Sequence, residues 1–110
     1  MQAEAAVFKV LGDPIRLRLA VLLAARGETC VCVLSQALDE PDFKISRHLG
    51  IMRAAGVVEA RREGTWMHYR LAAPRLRLEK CLQECFRRCL AEHRTVKADM
   101  RRLKKATCAA

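Results

Sequence analysis
A chain of 110 residues with a net charge of +9 is long enough for one domain with one modest core, over residues 1–110. No apolar run nears the ~18 residues of a membrane span, and the N-terminus lacks a charged start followed by an apolar block, so no membrane partner and no secretion are expected and the cytoplasm is the expected compartment. The charge is uneven: residues 1–40 carry four Lys or Arg against five Asp or Glu, residues 41–71 six against three, and the remainder eleven against four, so a polyanion would not meet the first third of the chain.

In chain order, Ala3 to Leu11 has helical apolar spacing and stops at Gly12. Asp13 then offers a side-chain N-cap and Pro14 the first helical position, opening a second helix that buries Ile15, Leu17, Leu19, Val21 and Leu22 before Gly27 ends it. A third, short helix runs from about Cys30 to Leu38 and buries Val33, Leu34 and Ala37. Asp39-Glu40-Pro41-Asp42 is a turn, and Pro41 or Asp42 opens a fourth helix that ends near Gly56. Two helices joined by so short a turn predict a helix-turn-helix over about residues 30–55.

After Gly56 the apolar period changes from 3.6 to 2. Residues 57–61 and 65–71 read as two strands around the turn Arg62-Glu63-Gly64, a β-hairpin over 57–71 with a basic tip. Trp66 and His68 fall on one face and Tyr69 on the other, as packing residues of the hairpin. From about 75 to 105 a single long helix is expected, its stripe of Leu78, Leu82, Cys85, Cys89, Val96 and Leu103 narrow enough for a helix-helix dimer seam. The class is mainly α with a β-hairpin, in the order α-α-α-α-β-β-α.

Around the fourth helix, Leu49 and Met52 fall within about 40° of Ile45 on the core side, while Phe43, Ser46, Arg47 and Gly50 lie on the opposite half. Arg47 would face a major groove, able to contact a guanine edge or a phosphate, and Lys44 is better placed for phosphate. Phe43 either packs under the turn or touches a thymine methyl. His48 projects closer to the core side and reads as a packed or phosphate-contacting histidine.

Cys30 and Cys32 stand two apart at the start of the third helix. Thiolates are soft donors that select Cu(I), Zn(II), Cd(II) or As(III)-type ions over hard cations, so the pair suggests an ion-sensing input. The six cysteines read as reduced thiols rather than a disulfide framework. Positions i and i+2 of a helix lie about 200° apart, so one ion bridging both sulfurs should unwind or tilt the first turn. No nucleophile with a base, no paired carboxylates and no glycine-rich phosphate loop point to an enzyme, so no catalytic cofactor is expected.

Leu11-Gly12-Asp13-Pro14-Ile15-Arg16-Leu17, Cys30-Val31-Cys32, Lys44-Ile45-Ser46-Arg47-His48-Leu49 and Gly64-Thr65-Trp66-Met67-His68-Tyr69-Arg70-Leu71 together resemble the ArsR family of metalloid-responsive repressors. The resemblance covers about residues 5 to 72. It implies a winged helix-turn-helix homodimer, joined through its first and last helices, that occupies double-stranded operator DNA and releases it when its thiols bind As(III) or Sb(III). It also implies that the fourth helix, with Phe43, Lys44, Ser46, Arg47 and His48, enters the major groove, and that the wing follows the backbone through Arg61 and Arg62.

One departure from the family pattern concerns a third thiol, which some members carry near position 35, where this chain has Ser35. Either two thiols suffice, as they would for a monomethylated arsenical, or a remote cysteine among Cys81, Cys85, Cys89 and Cys108 completes the site. Some relatives bind ions on the last helix, so an inter-subunit site of Cys81, Cys85, Cys89 and His93 is a further alternative, beside simple packing of these cysteines. A Zn(II), Cd(II) or thiol-redox sensor on the same scaffold, and an effector-free basic DNA-binding protein, complete the readings.

Overall fold
A computed structural model of the chain describes residues 1–108. Helices α1 (Gln2–Leu11) and α2 (Pro14–Arg26) lead into a short strand β1 (Thr29–Cys30) and helices α3 (Val31–Leu38) and α4 (Asp42–Ala54). Strands β2 (Val58–Glu63) and β3 (Trp66–Leu71) follow, then helices α5 (Arg77–Arg88) and α6 (Arg94–Lys105).

Local signals act where the sequence puts them. The Asp13 carboxylate accepts hydrogen bonds from the backbone N–H groups of Ile15 at 2.8 Å and Arg16 at 3.2 Å, with Pro14 in the first turn of α2. Asp39 ends α3 in the left-handed region at φ 54°, and the N–H groups of Asp39 and Glu40 turn back to the Gln36 and Ser35 carbonyls. That tight closure lets α4 begin at Asp42, so α3 and α4 form the helix-turn-helix.

The sheet is antiparallel in the order β1-β3-β2. Glu63 faces Trp66, which leaves Gly64 and Thr65 as a two-residue turn, and Gly64 takes the positive φ (62°) that such a turn requires. Strand β1 was not expected, since two residues carry no periodicity. It sets Thr29 opposite Tyr69 and Cys30 opposite His68.

The core gathers on α2, whose Leu19, Leu22 and Leu23 meet Leu34 of α3 and Ile45, Leu49 and Met52 of α4, all fully buried. Each such side chain contributes about 1.5–3 kcal/mol by burial. Tyr69 is buried beneath the wing, and Trp66, Met67 and His68 are half-buried.

The expected single helix over 75–105 is corrected to two. The chain leaves α5 after Arg88, turns, and restarts where His93 Nδ1 caps α6 by accepting the Thr95 N–H at 3.1 Å. A straight helix would have carried Val96 and Leu103 into solvent, whereas the folded-back α6 buries both against the same core. The stripe read as a dimer seam is therefore divided, with Val96 and Leu103 inside the protomer, Cys85 half-buried and Cys89 exposed.

Candidate DNA-reading face and soft-ion site
Helix α4 buries Ile45, His48, Leu49 and Met52, and presents Phe43, Ser46, Arg47 and Gly50 to solvent. Phe43 is 77% exposed, so it does not pack under the turn. Arg47 and Arg62 are exposed and make no ion pair among the described residues, while Lys44 reaches Glu40 at 3.1 Å. Arg61 differs from its neighbour: it bridges Glu28 at 2.6 Å and Glu63 at 2.8 Å. Those hydrogen bonds hold both carboxyls below the usual carboxylate range.

His48 faces inward. Its Nδ1 lies 3.2 Å from Arg16 Nη1 and 3.9 Å from Asp13 Oδ1. Burial pushes the imidazole below its ordinary value near 6.5, and the nearby Arg16, Arg47 and Lys44 add to this against the opposing pull of Asp13. The neutral ring can then accept from Arg16, whose Nε donates to the Val10 carbonyl at 2.6 Å. Arg16 thus ties the end of α1 to the underside of α4, while Asp13 caps α2.

Cys30 is the N-cap of α3, in extended backbone with φ −72° and ψ 145°, and Cys32 is the second residue of the helix. Their backbones therefore differ in kind, one in a strand and one in a helical turn. Cys30 is half-buried beside His68, whose Nε2 is buried without a hydrogen-bond partner among the described residues. Cys32 is joined sulfur to sulfur with Cys108, the two Cα atoms 6.2 Å apart. This corrects the reading of all six cysteines as free thiols, because α6 and the segment after it fold onto α3 and bring residue 108 to residue 32. Ser35 is buried and occupied: its hydroxyl lies 3.0 Å from the Cys32 carbonyl and within hydrogen-bond reach of the carboxylate of Asp42, the first residue of α4.

The remaining thiols lie apart from this pair. Cys81 and Cys85 are on α5 and Cys89 is its C-cap; hydrogen bonding with Cys89, and then burial, pushes the Cys85 thiol up toward its protonated form. His93 is engaged as the cap of α6. Among the described residues no three His, Cys, Asp or Glu side chains stand assembled to hold a metal ion.

A further constellation was missed by sequence reasoning. Asp99 of α6 is fully buried; it accepts from Arg18 Nε at 2.9 Å and Nη2 at 2.8 Å, and from Arg102 Nη2 at 2.7 Å. Each arginine also donates to the end of α3, Arg18 to the Leu38 carbonyl at 3.2 Å and Arg102 to the Ala37 carbonyl at 2.8 Å. The signal that could have found it was the lone carboxylate on the apolar stripe between Val96 and Leu103.

Residues 13–60 match the family model described as bacterial regulatory protein, arsR family. The chain is 40% identical over 104 residues to the arsenical resistance operon repressor of Escherichia coli K12, covering 93% of this chain and 86% of that protein. Among solved structures it is similar to a homodimeric winged helix-turn-helix DNA-binding domain from Mycobacterium bovis, at 34% identity and a TM-score of 0.66 over 84% of this chain and 86% of that one. It is also similar to the cadmium metal-sensor of Mycobacterium tuberculosis, at 28% identity and a TM-score of 0.59 over 96% and 97%. These relatives bear the names of a repressor, a DNA-binding domain and a metal-sensor. With a helix-turn-helix, a hairpin wing and an overall match of this extent, the chain belongs to the arsR family of bacterial DNA-binding transcriptional regulators.

Proposed function
We propose that the protein is a cytoplasmic repressor that binds double-stranded operator DNA as a homodimer and lets go when As(III) or Sb(III) binds the thiolates of Cys30 and Cys32. The observation that carries this reading is the position of the pair. Cys30 is the N-cap of α3 and Cys32 lies in its first turn, and α3 packs against α4. The name of the Escherichia coli relative, an arsenical resistance operon repressor, supports the choice of effector. Among the described residues no helix is long and apolar enough to cross a membrane.

In this reading α4 enters the major groove with Phe43, Ser46 and Arg47 toward base edges and Lys44 toward phosphate, while Arg62 at the wing meets the backbone. Arg61 would have to exchange its Glu28 and Glu63 partners for phosphate, and His48 positions α4 from beneath. In this reading the dimer forms through the first helix, α1, where Phe8 is 56% exposed, and the last helical segment, now divided into α5 and α6. Trivalent arsenic prefers sulfur to nitrogen or oxygen, and drawing the extended N-cap Cys30 onto one ion with Cys32 strains the head of α3. That strain passes to α4 through the Ser35 contact with Asp42.

The test is titration of operator-bound protein, under reducing conditions, with As(III), Sb(III), methylated As(III), Zn(II) and Cd(II). Release by As(III) or Sb(III) that is lost in Cys30→Ser and Cys32→Ser is the expected result; no release by any of them would overturn the reading. A Zn(II) or Cd(II) sensor is the second reading, favoured by His68 beside Cys30, which would add a nitrogen donor to the thiolates, and by the similarity to a cadmium metal-sensor. Release by Cd(II) alone, abolished in His68→Ala, would establish it instead.

A further inference from the structure
We propose that Cys108 is the third thiolate of the effector site, delivered to Cys30 and Cys32 from the far end of the same chain. This rests on the reading of Cys30 and Cys32 as that site. Three observations point to it. The sulfurs of Cys32 and Cys108 already meet, with their Cα atoms 6.2 Å apart across a sequence separation of 76. The segment that carries Cys108 is held in place: the Gln36 amide donates to the Thr107 carbonyl at 2.8 Å and accepts the Thr107 N–H at 3.3 Å, a two-point clasp between α3 and the chain after α6. The same Gln36 Nε2 lies 3.4 Å from the Cys32 sulfur and 3.9 Å from the Cys108 sulfur, so one side chain touches both thiol positions.

The chemistry selects the ligand. Trivalent arsenic and antimony make three bonds to sulfur, so Cys30 and Cys32 alone leave one position open to water or carbon. Ser35 cannot fill it with sulfur, and its hydroxyl is engaged with Asp42 and the Cys32 carbonyl. Cys81 and Cys85 are on α5 and Cys89 is its C-cap. Cys108 is left, already at Cys32. In the reduced protein, arsenous acid would lose its three hydroxyls as three waters, each taking the proton of one thiol, while arsenic stays trivalent and three As–S bonds form. Where Cys32 and Cys108 are bonded to each other, a thiol or phosphine reductant must first supply two electrons and two protons.

Because no three donors are preassembled among the described residues, closure on the ion must draw Cys30 from its strand position toward Cys32 and Cys108. The C-terminal segment therefore decides which effectors fill the site. Inorganic As(III) and Sb(III) use all three sulfurs, and an organoarsenical, whose carbon occupies one position, uses two.

The experiment compares wild type, Cys108→Ser and the double variant Cys30→Ser/Cys32→Ser, all kept reduced with a trialkylphosphine. X-ray absorption counts the sulfurs around bound As(III), and competition titrations give affinities for As(III) and for phenylarsine oxide, which takes two thiolates. Wild type should show three sulfurs and Cys108→Ser two, with As(III) affinity lower by on the order of a hundredfold and phenylarsine oxide affinity within about twofold. Three sulfurs in Cys108→Ser, or an unchanged As(III) affinity, would overturn the role of Cys108 and leave the Cys30 and Cys32 site standing. If the double variant still binds As(III) through three sulfurs, the site itself lies elsewhere.

Discussion
Arg18 of α2 grips Asp99 of α6 through two hydrogen bonds, 2.9 and 2.8 Å, across 81 residues of sequence, and the carboxylate has no exposure to solvent. Arg102 closes the other side, and both guanidiniums reach on to the last carbonyls of α3. Bonding to Asp99 keeps Arg18 even more firmly protonated than usual, despite its partial burial. This clasp fixes α6 against α3 and so holds Cys108 at Cys32.

Removing the buried partner should be costly. Asp99→Ala removes the one acceptor that both arginines share and is expected to lower stability by about 1–3 kcal/mol, the range for a lost charged hydrogen bond. The loss stays in that range because Arg18 at 22% and Arg102 at 42% side-chain exposure keep part of their hydration. Urea denaturation measures it; a loss below about 0.5 kcal/mol, the range of surface changes, would show that α6 is not anchored here.

Ser35 should act on coupling rather than on ligand binding. Ser35→Ala removes the contact between the Cys32 turn and Asp42, so As(III) should still bind with similar affinity while releasing DNA less effectively, by roughly fivefold or more in the ratio of operator affinities with and without ion. Fluorescence anisotropy with labelled operator at saturating and zero As(III) gives that ratio. An unchanged ratio would remove Ser35 from the path.

Arg47 and Arg62 should separate base reading from backbone binding. Arg47→Ala is expected to cost about 1–3 kcal/mol on the operator and to relax preference at one base pair, whereas Arg62→Ala should weaken all sequences alike and lower the salt slope by about 1. Operator and random-duplex affinities over a salt series distinguish them. Equal losses on both duplexes for Arg47→Ala would reduce it to a phosphate contact.

Stability should respond to His48 on the acid side. Its folded pKa is depressed, so the unfolded chain takes up the proton first as pH falls below about 6.5; stability is full above that value and is lost as pH falls toward the folded pKa. Asp13, also depressed in spite of its burial because Arg16 and Ile15 donate to it, acts in a separate window below its ordinary 3.8. His48→Gln should therefore flatten the stability curve below about pH 6.5 while leaving the fall below pH 4 in place. Equal slopes in wild type and variant between pH 7 and 5 would rule this out.

The helix-turn-helix and wing were legible because their signals are local. Asp13 and Pro14 start α2, Asp39 and Pro41 bracket the turn, and the change of period after Gly56 announces the hairpin; each signal acts within a few residues. The inward set Ile45, Leu49 and Met52 and the outward set Phe43, Ser46 and Arg47 follow from helical period alone, and the structure has both. The break between α5 and α6 had no comparable mark, since neither Gly nor Pro stands between Arg88 and Arg94.

The sequence by itself determined the bounds of the first four helices to within a residue or two, which face of α4 looks outward, and that two soft donors stand at the head of α3. Only the tertiary structure decided that α6 folds back, that Asp99 meets Arg18, that His48 is an internal acceptor for Arg16, and that Cys108 arrives at Cys32. The physical reason is range. Caps, turns and periodicity are set by bonds and contacts between near neighbours, whereas these pairings join residues 32 to 81 positions apart, and nothing in either local segment names its partner until the shared core on α2 brings them together.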